Sequence, residues 1–154
     1  MNTDSRGYRQ NVCAVIRRTS DNAVLLFHRK GYSPDKGWQF PQGGVDPHKD
    51  LIDELKRELR EEIGTDKVSV VSISPETYAY DFPPGVNRSR RYRGQRQRWI
   101  LLELCVGEDA IHFDHQPAEF DACEWSSVQQ SIDRVVSFKK DVYRRALKDL
   151  GLWK

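Results

Sequence analysis

The chain has 154 residues, 38% of them apolar, which predicts one domain over residues 1–154 with enough apolar side chains for a real core. No apolar run approaches a membrane span, and the polar N-terminus MNTDSRGYRQ lacks a signal-peptide core, so a cytoplasmic protein without membrane contact is expected. The net charge of +2 hides an acidic stretch at 43–65 and basic stretches at 88–98 and 139–145, an asymmetry that points to a partner carrying many phosphates.

In chain order, residues 11–18 and 23–30 are β-rich runs, and Ser20-Asp21-Asn22 between them reads as a hairpin turn. A Gly/Pro-punctuated loop over 31–44 carries Trp38-Gln39-Phe40-Pro41-Gln42. A helix is predicted over 49–63. Residues 68–82 read as one long or bent strand, broken by Pro83-Pro84-Gly85 and followed by a basic loop up to Gly94. Strands are predicted at 97–106 and 120–125, and a short helix within 126–135. Ser137 is placed as the N-cap of a last helix running to Leu150, with Phe138, Val142, Ala146 and Leu150 inward. Mixed strands with few helices indicate an α+β fold. Cys13, Cys105 and Cys123 have neither metal-ligand spacing nor an even count, and are expected as buried thiols in a reducing compartment.

The most informative segment is GGVDPHKDLIDELKRELREEIGT, from Gly43 to Thr65. On a helix, Glu58, Glu61 and Glu62 share one face, while Leu51, Leu55, Leu59 and Ile63 point the other way into a core. Like charges at these spacings repel by a few tenths of a kcal/mol per pair (about 0.2–0.5). A hard divalent cation reverses that cost, and magnesium typically sits between one or two carboxylates and substrate phosphates. Gly64 supplies a C-terminal cap.

The segment resembles the Nudix box: Gly, five residues, Glu, seven residues, Arg-Glu, an apolar residue, any residue, Glu-Glu, any residue, Gly, apolar. Gly43, Arg57-Glu58-Leu59, Glu61-Glu62 and Gly64 match. Lys49 stands where the first Glu belongs and Thr65 where the last apolar residue belongs. The first departure is expected to alter local packing more than chemistry, since Asp46 or Asp50 can meet the helix's need for an acceptor.

The resemblance implies a Nudix-type α/β/α sandwich around a mixed β-sheet. It also implies cleavage of a phosphoanhydride, which needs charge neutralisation, a positioned water and a base. Glu58 and Glu62 match the principal metal-ligand positions, Glu61 a further ligand or supporting carboxylate, the Gly43 carbonyl another ligand, and Arg57 an arginine that orients a box Glu. The implied cofactor is Mg2+, with Mn2+ as a substitute. Outside the box, Glu119 precedes a predicted strand. It reads either as an exposed loop carboxylate or, with the resemblance, as a base and metal-binding group.

Further segments are similar to the bacterial RNA pyrophosphohydrolase branch of that family: Gly7-Tyr8-Arg9, Trp38-Gln39-Phe40-Pro41-Gln42-Gly43-Gly44, Gly94-Gln95-Arg96-Gln97-Arg98-Trp99, Glu119-Phe120-Asp121 and Val136-Ser137-Phe138-Lys139. In that branch Arg9 matches an arginine at the 5′-phosphates, and Arg29, Val136 and Phe138 match residues that hold the second base. Gln42, Gln95 and Lys139 complete the candidate substrate-binding set. Phe138 reads equally as a stacking platform for a single-stranded base or as a core residue of the last helix. Arg88, Arg90, Arg91, Arg93, Arg96 and Arg98, with Tyr92 among them, read as a track for a phosphate backbone or as a solvated loop.

Three functions therefore stand. The first is hydrolysis of the 5′ end of triphosphorylated or diphosphorylated RNA. The second is hydrolysis of dinucleoside polyphosphates. The third is binding without catalysis by an impaired sensor, which the intact Arg57, Glu58, Glu61 and Glu62 oppose. A monomer or weak dimer is expected.

Overall fold

The computed structural model describes residues 7–86 and 91–154. Strands β1 (Tyr8–Ile16), β4 (Gln42–Gly44), β5 (Val68–Asp81) and β6 (Gly94–Leu104) form one sheet in the order β4-β1-β6-β5. Strands β2 (Val24–Arg29), β3 (Trp38–Gln39) and β7 (Phe120–Ser126) form a second, in the order β3-β2-β7. The larger sheet is mixed: β1 runs parallel to β6 but antiparallel to β4. The helices are α1 (Leu51–Ile63), α2 (Val128–Arg134) and α3 (Lys140–Asp149).

Alternation along the strands explains the layering. Val12, Ala14, Ile16, Leu25, Phe27, Ile100 and Leu102 point to one side and pack with Leu55, Leu59 and Ile63 of α1. Cys13, Val15, Val24, Leu26, Trp99 and Leu101 point to the other and pack with Ile132 of α2 and Val142, Ala146 and Leu147 of α3. A period of two with both phases apolar is what a strand covered on both faces requires. The result is the α/β/α sandwich expected.

Several boundaries differ from the sequence reading. Residues 11–18 and 23–30 do not form a hairpin. The chain makes one bridge, Arg17 to Val24, and then β1 and β2 enter different sheets. β1 pairs instead with β4 and β6, and β2 with β3 and β7. The long strand at 68–82 is present and bent, with register shifts after Val70 and after Ile73. Helix α1 starts at Leu51, because the Asp50 side chain accepts from the Asp53 N–H and caps it there. Ser127 caps α2 through a capping box with Gln130. Ser137 makes no capping hydrogen bond. Residues Ser137–Lys139 form a 3-10 turn and α3 begins only at Lys140. Cys13 is buried, Cys123 is half-buried and Cys105 is exposed, since Cys105 lies just past the end of β6 where the chain leaves the sheet. Among the described residues no helix is long and apolar enough to cross a membrane.

Candidate active site

Strand β4 ends in two glycines, Gly43 against Glu58 of α1 and Gly44 against Arg9. A Cβ on Gly43 would lie 2.1 Å from Glu58 Cδ, and one on Gly44 would lie 2.2 Å from Arg9 Nη2. A side chain at either position would have to displace the end of a long side chain, the Glu58 carboxylate at Gly43 and the Arg9 guanidinium at Gly44. Gly43 pairs with Val12 of β1, so the rigid sheet fixes this approach.

Arg57 is the hub of the helix face. Its Nε donates to Glu54 Oε2 at 3.1 Å, its Nη1 to Glu61 Oε2 at 3.3 Å, and its Nη2 to the Gly44 carbonyl at 3.3 Å, with Glu58 Oε1 3.2 Å away. Glu58 and Glu62 line a narrow cleft with Val12, Ala14, Pro41, Gln42, Gly43, Leu55 and Leu59. Burial, followed by the negative charges of Glu119 and Glu58, holds the Glu62 carboxyl protonated far above the usual carboxylate range. Burial likewise raises Glu58, against the opposing pull of Arg57. Glu119 is exposed, ahead of β7, with its carbonyl accepting from the Lys30 N–H at 2.9 Å and its carboxyl close to Glu62.

Arg57, Glu58, Glu61, Glu62, Gly43 and Glu119 are thus neighbours. Among the described residues they do not already stand in a metal-coordinating arrangement. They do fit a hard divalent cation in chemistry. The donors are all oxygen, Glu62 Oε2 is buried with no hydrogen-bond partner, and burial with mutual repulsion disfavours the ionised carboxylates in a way that a cation would reverse.

Of the candidate substrate residues, Gln42 lines this cleft and the Arg9 guanidinium lies against Gly44. Arg9, Gln95 and Tyr80 lie side by side across β1, β6 and β5. Gln42 Oε1 accepts from Gln97 Nε2, and the Tyr80 hydroxyl lies 3.5 Å from it. Gln95 is buried and its Oε1 has no partner. Lys139 is buried, its Nζ 5.7 Å from the Tyr80 ring and 6.0 Å from the Phe138 ring. Burial lowers its ammonium to about 8, helped by Arg29 and opposed by Glu119. Phe138 is half-buried against Tyr80, ring centroids 5.6 Å apart, and borders the core on the α3 side without being part of it. Val136 is 50% exposed. Arg29 lies 5.4 Å over the Tyr32 ring.

The basic run is partly committed to the fold. Arg93 pairs with Asp81 at 2.8 Å, Arg98 donates to the Ser74 carbonyl at 3.0 Å, and Arg96 lies 5.0 Å over Tyr8. Arg88 and Arg90 lie outside the described residues. Two residues at the site were not candidates from sequence. Tyr80 looked like one more strand aromatic. Glu54 carried a usable signal, a carboxylate three residues before Arg57 on the same helix.

A NUDIX domain profile matches residues 7–146, and the chain belongs to the Nudix hydrolase family, whose members generally use a divalent metal. Among relatives, the RNA pyrophosphohydrolase of Saccharophagus degradans is 40% identical over 153 residues, covering 96% of this chain and 88% of that protein. The RNA pyrophosphohydrolase of Gluconacetobacter diazotrophicus is 37% identical over 155 residues, covering 94% and 92%. Among solved structures, the dihydroneopterin triphosphate pyrophosphohydrolase of E. coli superimposes with a TM-score of 0.69 at 18% identity, over 90% of this chain and 95% of that one, a likeness of fold.

Proposed function

We propose that this chain, one domain over residues 1–154, hydrolyses a phosphoanhydride at the 5′ end of triphosphorylated or diphosphorylated RNA. It would release pyrophosphate or phosphate and leave a 5′-monophosphate. The observation that carries the reading is one of placement: the buried cation Lys139 lies in the field of Glu119, whose carboxyl is close to Glu62, and its Nζ is 6.0 Å from the ring of the half-buried Phe138. The family membership and the RNA pyrophosphohydrolase relatives support it.

Glu58, Glu62, the Gly43 carbonyl, Glu61 and Glu119 would hold Mg2+, with Mn2+ as a substitute. When bound, the cation neutralises phosphate charge and makes water a stronger nucleophile. Arg57 keeps Glu58 and Glu61 in place. Glu119, the exposed member, takes the proton of the attacking water. Arg9 and Lys139 bind phosphate oxygens with charge-assisted hydrogen bonds, and Gln42 and Gln95 add neutral ones. Phe138, Val136 and Arg29 hold the second base by stacking and apolar contact. The protein would act in the cytoplasm as a monomer or weak dimer.

Dinucleoside polyphosphates offer the same phosphate chain and are the rival substrates. The test is turnover of triphosphorylated RNA against diadenosine tetraphosphate, side by side, with magnesium and with manganese. A higher kcat/KM on RNA is expected. A higher value on the dinucleotide overturns the substrate assignment, and no turnover of either overturns the activity.

A further inference from the structure

Helix α1 buries a carboxylate that the apolar pattern does not ask for. Glu54 is 6% exposed, beside Leu55, yet both its oxygens are engaged. Oε1 accepts the Asp46 N–H at 2.8 Å and Oε2 accepts Arg57 Nε at 3.1 Å. The first bond ties down the loop that follows Gly43 and Gly44. The second fixes the plane of the guanidinium whose remaining nitrogens reach Glu61, Glu58 and the Gly44 carbonyl. Of the three carboxylates around Arg57, Glu54 is the most buried, with 8% of its side chain exposed against 14% for Glu58 and 41% for Glu61. It is therefore the least weakened by solvent.

Position 49 is the place where the box pattern carries a Glu and this chain carries Lys. Lys49 is exposed, and its N–H donates to the carbonyl of Asp46, the same residue whose N–H is held by Glu54. Its charge is felt at Glu54. Positions 49 and 54 thus brace one loop from two sides, and only position 54 has an anion.

We infer that Glu54 is the positioning residue for Arg57 and the 43–46 loop, standing in for the carboxylate missing at position 49. Its effect on turnover rests on the reading of the Arg57 face as the active site. Its effect on Arg57 does not.

The test uses Glu54→Gln, which keeps the shape of the side chain and an acceptor for the Asp46 N–H. In 1H–15N spectra of the metal-free protein, the Arg57 Nε–H signal should be slow to exchange in the parent. In the variant it should shift and exchange at least tenfold faster. Turnover should show kcat reduced at least tenfold with KM within about twofold, at an almost unchanged Tm. Adding Lys49→Glu to this variant should recover at least half of the lost kcat on a logarithmic scale. An undisturbed Arg57 signal overturns the inference whatever the substrate proves to be. Unchanged kcat, or a loss that tracks a fall in Tm, overturns the catalytic consequence. No recovery from Lys49→Glu overturns the stand-in. If the inference holds and RNA is not cleaved, the Arg57 signal still shifts while only the substrate assignment falls.

Discussion

Glu62→Gln should make the metal-free protein more stable and remove its response to metal. In the unfolded chain the carboxyl titrates near 4.5, whereas burial and the charges of Glu119 and Glu58 keep it protonated at neutral pH when folded. Folding at pH 7 must then take up a proton. Each pH unit above 4.5 costs about 1.4 kcal/mol, so the penalty approaches about 3 kcal/mol at pH 7, as an order of magnitude. The native state binds more protons than the unfolded one, so this contribution to stability is present below 4.5 and is lost as pH rises. Gln carries no such penalty. For a domain of this size about 3 kcal/mol corresponds to roughly 6–12 °C in Tm. The assay is calorimetry in chelator from pH 4.5 to 7, repeated with magnesium. The variant's advantage should open across that range, and magnesium should raise the Tm of the parent alone. A variant no more stable than the parent at pH 7, or an advantage that does not change with pH, would refute the reasoning.

Lys49→Glu alone should change kcat by less than about tenfold, or roughly 1.4 kcal/mol of barrier, because Glu54 already supplies an anion. A large gain measured in steady-state kinetics would show that position 49 is empty of a needed group. Phe138→Ala should lose about 1–3 kcal/mol of stacking on RNA of two or more nucleotides, and much less on a mononucleoside triphosphate. Equal losses on both, with a lower Tm, would make Phe138 a packing residue. Lys139, lowered to about 8, is charged below that pH and neutral above it. The kcat/KM profile should therefore fall on the basic side near pH 8, and Lys139→Arg should carry that limb to higher pH. A basic limb that stays in place in the Arg variant would assign it to another group.

What the sequence disclosed follows from how local each signal is. The α1 row of Leu55, Leu59 and Ile63, and the acidic row opposite, are written in the 3.6-residue period and needed no tertiary knowledge. The α2 cap at Ser127 was hidden in a segment merely expected to hold a short helix. Adjacency in sequence suggests a hairpin over 11–30, but β1 is satisfied by β4 and β6 instead. Ser137 failed because Lys140 begins the helix only after a tighter turn. At the site, the acidic box was visible as spacing, but Tyr80 enters through strand register. Glu54 enters through burial, which a helical pattern of charges does not reveal.

The place of β1 in the larger sheet has a consequence for synthesis. It is made well before β6, with which it pairs along its whole length, partners such as Asn11 and Gln97 being 86 residues apart. At 5–20 residues per second, a ribosome takes roughly 4–17 s to supply the second after the first. Through that interval β1 has only the short β4 beside it, and Val12, Val15 and Ile16 lack the strand that will flank them. The glycine loop and the acidic helix emerge within the same interval, ahead of the strand that completes their support. The acidic face of α1 is therefore made before the β6 strand that backs the sheet beneath it.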